Sequence, residues 1–138
     1  MSKVFEDEFM DAQASMISLC LEVTGKKVDK VYAYCSNEKK SAMFNAFFDV
    51  SGQVKTLNQL GVSSKEAGRF FDFGLEELGH LNDVCARHKM PAPTELKLYY
   101  DVKSGKFNAD YKYKEVCSAN TGKCAAEVFM EWITEIKG

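Results

Sequence analysis

The stretch from Thr94 to Lys114 constrains the fold more than any other part of the chain. Leu96, Leu98, Tyr100 and Val102 alternate with Glu95, Lys97, Tyr99 and Asp101. Beyond Ser104-Gly105, Phe107, Ala109, Tyr111 and Tyr113 alternate with Asn108, Asp110, Lys112 and Lys114. Successive side chains of a strand point to opposite faces, so two period-two runs around a glycine predict a β-hairpin with one buried face. Gly105 can take the positive φ that such a turn needs. An isolated hairpin is marginal in water, so the rest of the chain must extend the sheet and cover it.

Residues 3 to about 24 predict an amphipathic helix, with Phe5, Phe9, Ala12, Met16, Leu19, Cys20 and Val23 at helical spacing. Glu6, Asp7, Glu8 and Asp11 lie toward its N-terminus, where the helix dipole favours acids, and Gly25 is placed to cap its end. Three strands are expected next: Asp29 to Ser36, Ser41 to Val50 and Gln53 to Leu57, joined by Asn37-Glu-Lys-Lys40 and by Ser51-Gly52. The second carries apolar bulk on both faces and reads as a central strand. Ser63 followed by Glu66 is a capping-box pattern opening a long helix to about His88. Its apolar positions are Ala67, Phe70, Phe71, Leu75, Leu78, Leu81, Val84 and Cys85, with Phe73 and Gly74 adding to the stripe. Gly68, Gly74 and Gly79 each cost about 1 kcal/mol relative to alanine inside a helix, which predicts close packing or kinking there. After the hairpin, Gly122 or Lys123 to Lys137 predicts a last helix with a buried stripe of Ala125, Val128, Phe129, Trp132, Ile133 and Ile136. Glu127, Glu131 and Glu135 form its solvated ridge. The expectation is one α+β domain over residues 1–138: a single antiparallel sheet of about five strands with three helices against it, in the order α-β-β-β-α-β-β-α.

A formal net charge of −2 argues against a general nucleic-acid or anionic-membrane binder, which would be basic. The acidic N-terminus has no apolar run of the signal-peptide kind, and no stretch approaches the roughly 18 apolar residues of a membrane span. A cytoplasmic location is expected. The five cysteines, Cys20, Cys35, Cys85, Cys117 and Cys124, are odd in number with no C-x-x-C spacing, as expected of reduced thiols packed as small apolar groups. Cys117 and Cys124 flank a loop, Ser118-Ala-Asn-Thr-Gly-Lys123, across which they could pair.

Two arrangements raise the question of chemistry. Glu77-Leu-Gly-His80 puts a carboxylate and an imidazole on one helix face, but di-metal bundles need that motif twice plus two further glutamates. Cys85 and His88 form an i, i+3 pair without the further ligands of a zinc site. Lys103-Ser-Gly-Lys106 lacks the first glycine of a phosphate loop and joins two strands. No catalytic residue, metal or cofactor is expected; the alternative is a small enzyme or metal protein using Glu77, His80, Cys85 or His88, or a generic ligand-binding module. The hairpin's aromatics and lysines suit base stacking in principle, but aromatics on strands are more often core or cross-strand pairs.

The chain resembles the YezG-like immunity proteins, the antitoxins of bacterial polymorphic toxin systems. The resemblance rests on Val31-Tyr-Ala-Tyr34 with the aromatic second strand and its Ser-Gly turn, on the helix from Arg69 to Leu81, and most densely on Pro93-Thr-Glu-Leu-Lys-Leu-Tyr-Tyr-Asp-Val-Lys-Ser-Gly-Lys-Phe-Asn-Ala-Asp-Tyr-Lys-Tyr113. It implies a protein of contact-dependent inhibition systems with no chemistry of its own. Such a protein binds a cognate toxin C-terminal domain, often a nuclease, 1:1, and neutralises it by occlusion. Two surfaces are candidates for that contact. Glu66, Asp72, Glu76, Glu77 and Asp83 face a single base, Arg69, and an acidic face speeds association with a basic partner. The hairpin's other side carries Tyr99, Asp101 and Asp110, with Lys97, Asn108 and Lys112, and an exposed tyrosine flanked by charge suits an interface hot spot.

Overall fold

The computed structural model describes residues 2–38, 42–117 and 121–138, with the backbone alone for residues 2 and 3. Eight elements follow one another: α1 (Ser2–Val23), β1 (Lys30–Ser36), β2 (Met43–Val50), β3 (Gln53–Thr56), α2 (Ser64–Arg87), β4 (Glu95–Asp101), β5 (Phe107–Lys112) and α3 (Ala125–Lys137). The five strands make one antiparallel sheet in the order β3-β2-β1-β4-β5. The fold is the expected α+β arrangement. The middle strand is β1, with β2 inside the sheet beside it.

The helices lie on both faces of the sheet. Val31, Ala33 and Cys35 of β1 join Phe44, Ala46 and Phe48 of β2 and Leu96 and Leu98 of β4 under α1 and α2. The alternate residues Tyr32, Tyr34 and Phe47 pack on the other face against Val128, Phe129, Trp132 and Ile133 of α3. This is why β1 and β2 are apolar on both sides: each is sandwiched between helical layers. Tyr32 and Phe47 stack with ring centroids 4.6 Å apart, and Trp132 meets both edge-on. α3 packs chiefly on β2 and β3 and reaches β1 through Phe129 and Trp132. On the same face Asn108, Asp110 and Lys112 of β5 are exposed, and Lys97 of β4 reaches to within 5.4 Å of the Trp132 ring centroid.

Several expectations change. Glu95, assigned by alternation to the solvated face, is 2 % exposed. There its carboxylate accepts from the hydroxyl of the buried Tyr34, their oxygens 2.9 Å apart. Phe73 and Leu75 of α2 and Ile136 of α3 are exposed, since each lies off the arc that faces the sheet. Buried Gln13 and Ile17 join the α1 stripe instead. Gln13 accepts from the Tyr111 hydroxyl at 2.7 Å and donates to the Phe9 carbonyl, so a polar side chain is satisfied inside the core. Of the three α2 glycines only Gly74 is tightly packed; Gly68 and Gly79 face open space. The acids of α1 lie beyond its first turn, where the dipole acts weakly. The third strand ends at Thr56 and the last helix begins at Ala125. The polar turn at 37–40, the start of β2 at Ser41 and the 118–123 loop fall wholly or partly outside the described residues.

Candidate functional site

Helix α2 starts as the sequence predicts. The Ser63 side chain accepts from the Glu66 N–H and the Glu66 carboxylate receives the Ser63 N–H, so a full capping box is closed. The buried arc Phe70, Gly74, Leu78, Leu81, Val84 and Cys85 then seats the helix on the sheet. At Gly74 the backbone lies against the Phe44 ring so closely that an added Cβ would sit 1.9 Å from it. That contact, with the 3.6-residue period, turns Asp72, Phe73, Glu76, His80 and Asp83 to solvent.

Between α1 and α2 this leaves a cleft of about 260 Å³, lined by Ser18, Leu19 and Glu22 of α1 and by Phe73, Glu76 and Glu77 of α2. Phe73 is 51 % exposed, a large aromatic held at the surface with carboxylates on both helices around it. Glu76 and Glu77 were expected at such a surface. Glu22 was not, because its place depends on how α1 lies along α2, and no local pattern encodes that.

The eight predicted contact residues do not form one site. Asp72, Glu76 and Asp83 share the outer ridge of α2 and Glu77 turns into the cleft, whereas the Glu66 carboxylate is taken up by the capping box. Tyr99, Asp101 and Asp110 lie beyond the sheet, on the α3 side. Tyr99 is half-buried with its ring 5.2 Å from that of Tyr32. Asp101 accepts the Lys103 and Ser104 N–H groups at 3.0 and 3.3 Å and so holds the hairpin turn. Asp110 is exposed, directly across from Lys97 in the strand register.

Glu77, His80, Cys85 and His88 also fail to converge. His80 is exposed, Cys85 is buried against the sheet, and His88 Nε2 lies 3.2 Å from Glu8 of α1 with Phe5 edge-on to its ring. Arg87 pairs with the same Glu8, so the start of α1 is clasped to the end of α2. Arg87 first and His88 second hold the Glu8 carboxyl below its usual value. Among the described residues no group of three or more His, Cys, Asp and Glu side chains could hold a metal ion.

A buried polar cluster went unforeseen. Tyr34 donates to Glu95 Oε2, and Lys112 Nζ lies 3.8 Å from Oε1 at the open edge. Burial first, and the Glu95 carboxylate next, push the Tyr34 hydroxyl far up from its ordinary value. Burial likewise pushes up the Cys20, Cys35, Cys85 and Cys117 thiols, away from the thiolate form a nucleophile needs. Within the cluster Tyr34 is fully enclosed and Glu95 is almost so.

No protein-family model matches this chain, and no curated protein does. Among the described residues no helix is long and apolar enough to cross a membrane.

Proposed function

We propose that this protein binds and occludes a basic protein partner through the α1–α2 cleft, and that the partner is a bacterial toxin domain, nucleases included, bound 1:1. The observation that carries the reading is Phe73. A half-exposed aromatic costs solvation when left in water, and it gains most when a partner covers it inside a polar rim. Here the rim is acidic, formed by Glu22, Glu76 and Glu77, with Asp72 and Asp83 along the ridge. An arginine or lysine of the partner, laid on the Phe73 ring and held by these carboxylates, would combine cation–π attraction with ion pairing. The resemblance of the hairpin to immunity proteins supplies the toxin as partner class. The hairpin face with Tyr99, Asp110 and Lys112 lies on the opposite side of the sheet and is the alternative contact surface.

Coexpression with the toxin domain encoded beside this gene tests the reading. The two should copurify, and the cells should survive toxin expression. His80→Ala, Cys85→Ala and His88→Ala should protect as well as the natural protein, because the reading gives them no chemistry. Failure of the purified pair to associate would end it.

A further inference from the structure

We propose that two copies of this chain associate through β5, joining their sheets edge to edge into one continuous sheet. Among the described residues β5 has β4 as its one neighbour, so one side of its backbone lies at the sheet edge. The phase of that edge can be read from the turn and the far end. The Lys106 and Lys112 carbonyls both accept from the β4 side, from Asp101 N–H at 2.9 Å and Thr94 N–H at 2.7 Å. Residues of one parity therefore bond to β4, and Phe107, Ala109 and Tyr111 present N–H and C=O outward.

A second copy fits this edge because the strand is complementary to itself. Antiparallel pairing about a two-fold axis at Ala109 sets Ala109 against Ala109 and Phe107 against Tyr111 on both sides of the axis. Each of these pairs exchanges both backbone bonds. Aromatic residues directly opposite each other are among the favourable cross-strand pairs. On the other face the same register sets Asp110 against Asn108, avoiding a like-charge clash. Lys106 falls opposite Lys112 at the ends, but Lys112 has Glu95 at 3.8 Å.

The edge is also accessible. Beside it an apolar groove of about 340 Å³ runs between α1 and the hairpin, lined by Met10, Ala14, Ile17 and Leu21 with Tyr100 and Phe107. Met10 is exposed and Phe107 half-buried, so both lose water-facing surface when the partner's Tyr111 arrives. Neither Phe73 nor its acidic rim is in the interface, so the assembly leaves that surface free on each copy.

Sedimentation velocity of the full chain, with amide exchange by NMR, tests this from about 1 µM to about 1 mM. The expected result is a shift from the 15.5 kDa monomer to twice that mass. Over the same range the Phe107, Ala109 and Tyr111 amides should slow by about tenfold or more, while Asn108 and Asp110 are protected throughout. Ala109→Pro removes an outward N–H and no bond to β4, and should weaken the association by about tenfold or more. A chain that stays monomeric with those three amides exchanging freely overturns the proposal. So does a dimer in which they gain no protection.

Discussion

Gly74 shows how one residue sets the exposure of a whole helix face. Its missing side chain lets α2 rest on Phe44, and the acidic ridge follows from that seating. Gly74→Ala should therefore destabilise the protein by about 1–3 kcal/mol, the usual cost of overpacking a filled site. Gly68→Ala and Gly79→Ala meet nothing within 4 Å and should stabilise it by about 0.5–1 kcal/mol. Urea unfolding of the three variants checks the opposite signs. From sequence the three glycines are indistinguishable, since the cost of glycine in a helix is local and the Phe44 contact is not. Glu8 makes the same point through charge. Its carboxyl is depressed in the folded state by Arg87 and then His88, so its contribution is present above the ordinary glutamate value of about 4.3. That contribution fades as pH falls through the depressed folded value. Glu8→Gln should unfold at lower urea than the natural protein at neutral pH, and the gap should close in acid. A gap that stays constant over a pH series would contradict the clasp.

At the scale of elements, α3 holds one half of the sheet almost alone. Trp132 touches Tyr32, Tyr34 and Phe47 and carries Lys97 on its ring. Trp132→Ala should cost about 3–5 kcal/mol by thermal or urea unfolding, as for other buried large-to-small changes. The elements themselves were legible because each carries its own period: alternation in the hairpin, three-to-four spacing in the helices, a capping box at Ser63. Their layering was not. Phe129 and Phe70 look alike in a helical stripe, yet they pack on opposite faces of the sheet. Glu95 looked solvated because a strand pattern records which face a residue is on and nothing of what lies across it. Its burial follows from tertiary neighbours, the Tyr34 hydroxyl of β1 among them.

For the whole molecule, the sheet separates the two surfaces that sequence reasoning put forward. The ridge of α2 and the open hairpin face point away from each other, so a compact partner can centre on one of them. The cleft was half legible: Glu76 and Glu77 stand out as acids on one helix, whereas Glu22 and the outward turn of Phe73 require the α1–α2 packing. The most direct test of the proposed toxin binding is calorimetric titration of a toxin domain, found by its coexpression with this protein, into the natural protein, Phe73→Ala and Tyr99→Ala. The account predicts a 1:1 complex that Phe73→Ala weakens by about 2 kcal/mol, roughly 30-fold in Kd, with Tyr99→Ala much closer to the natural protein. Binding that is undiminished by Phe73→Ala, or no binding at all, would contradict it.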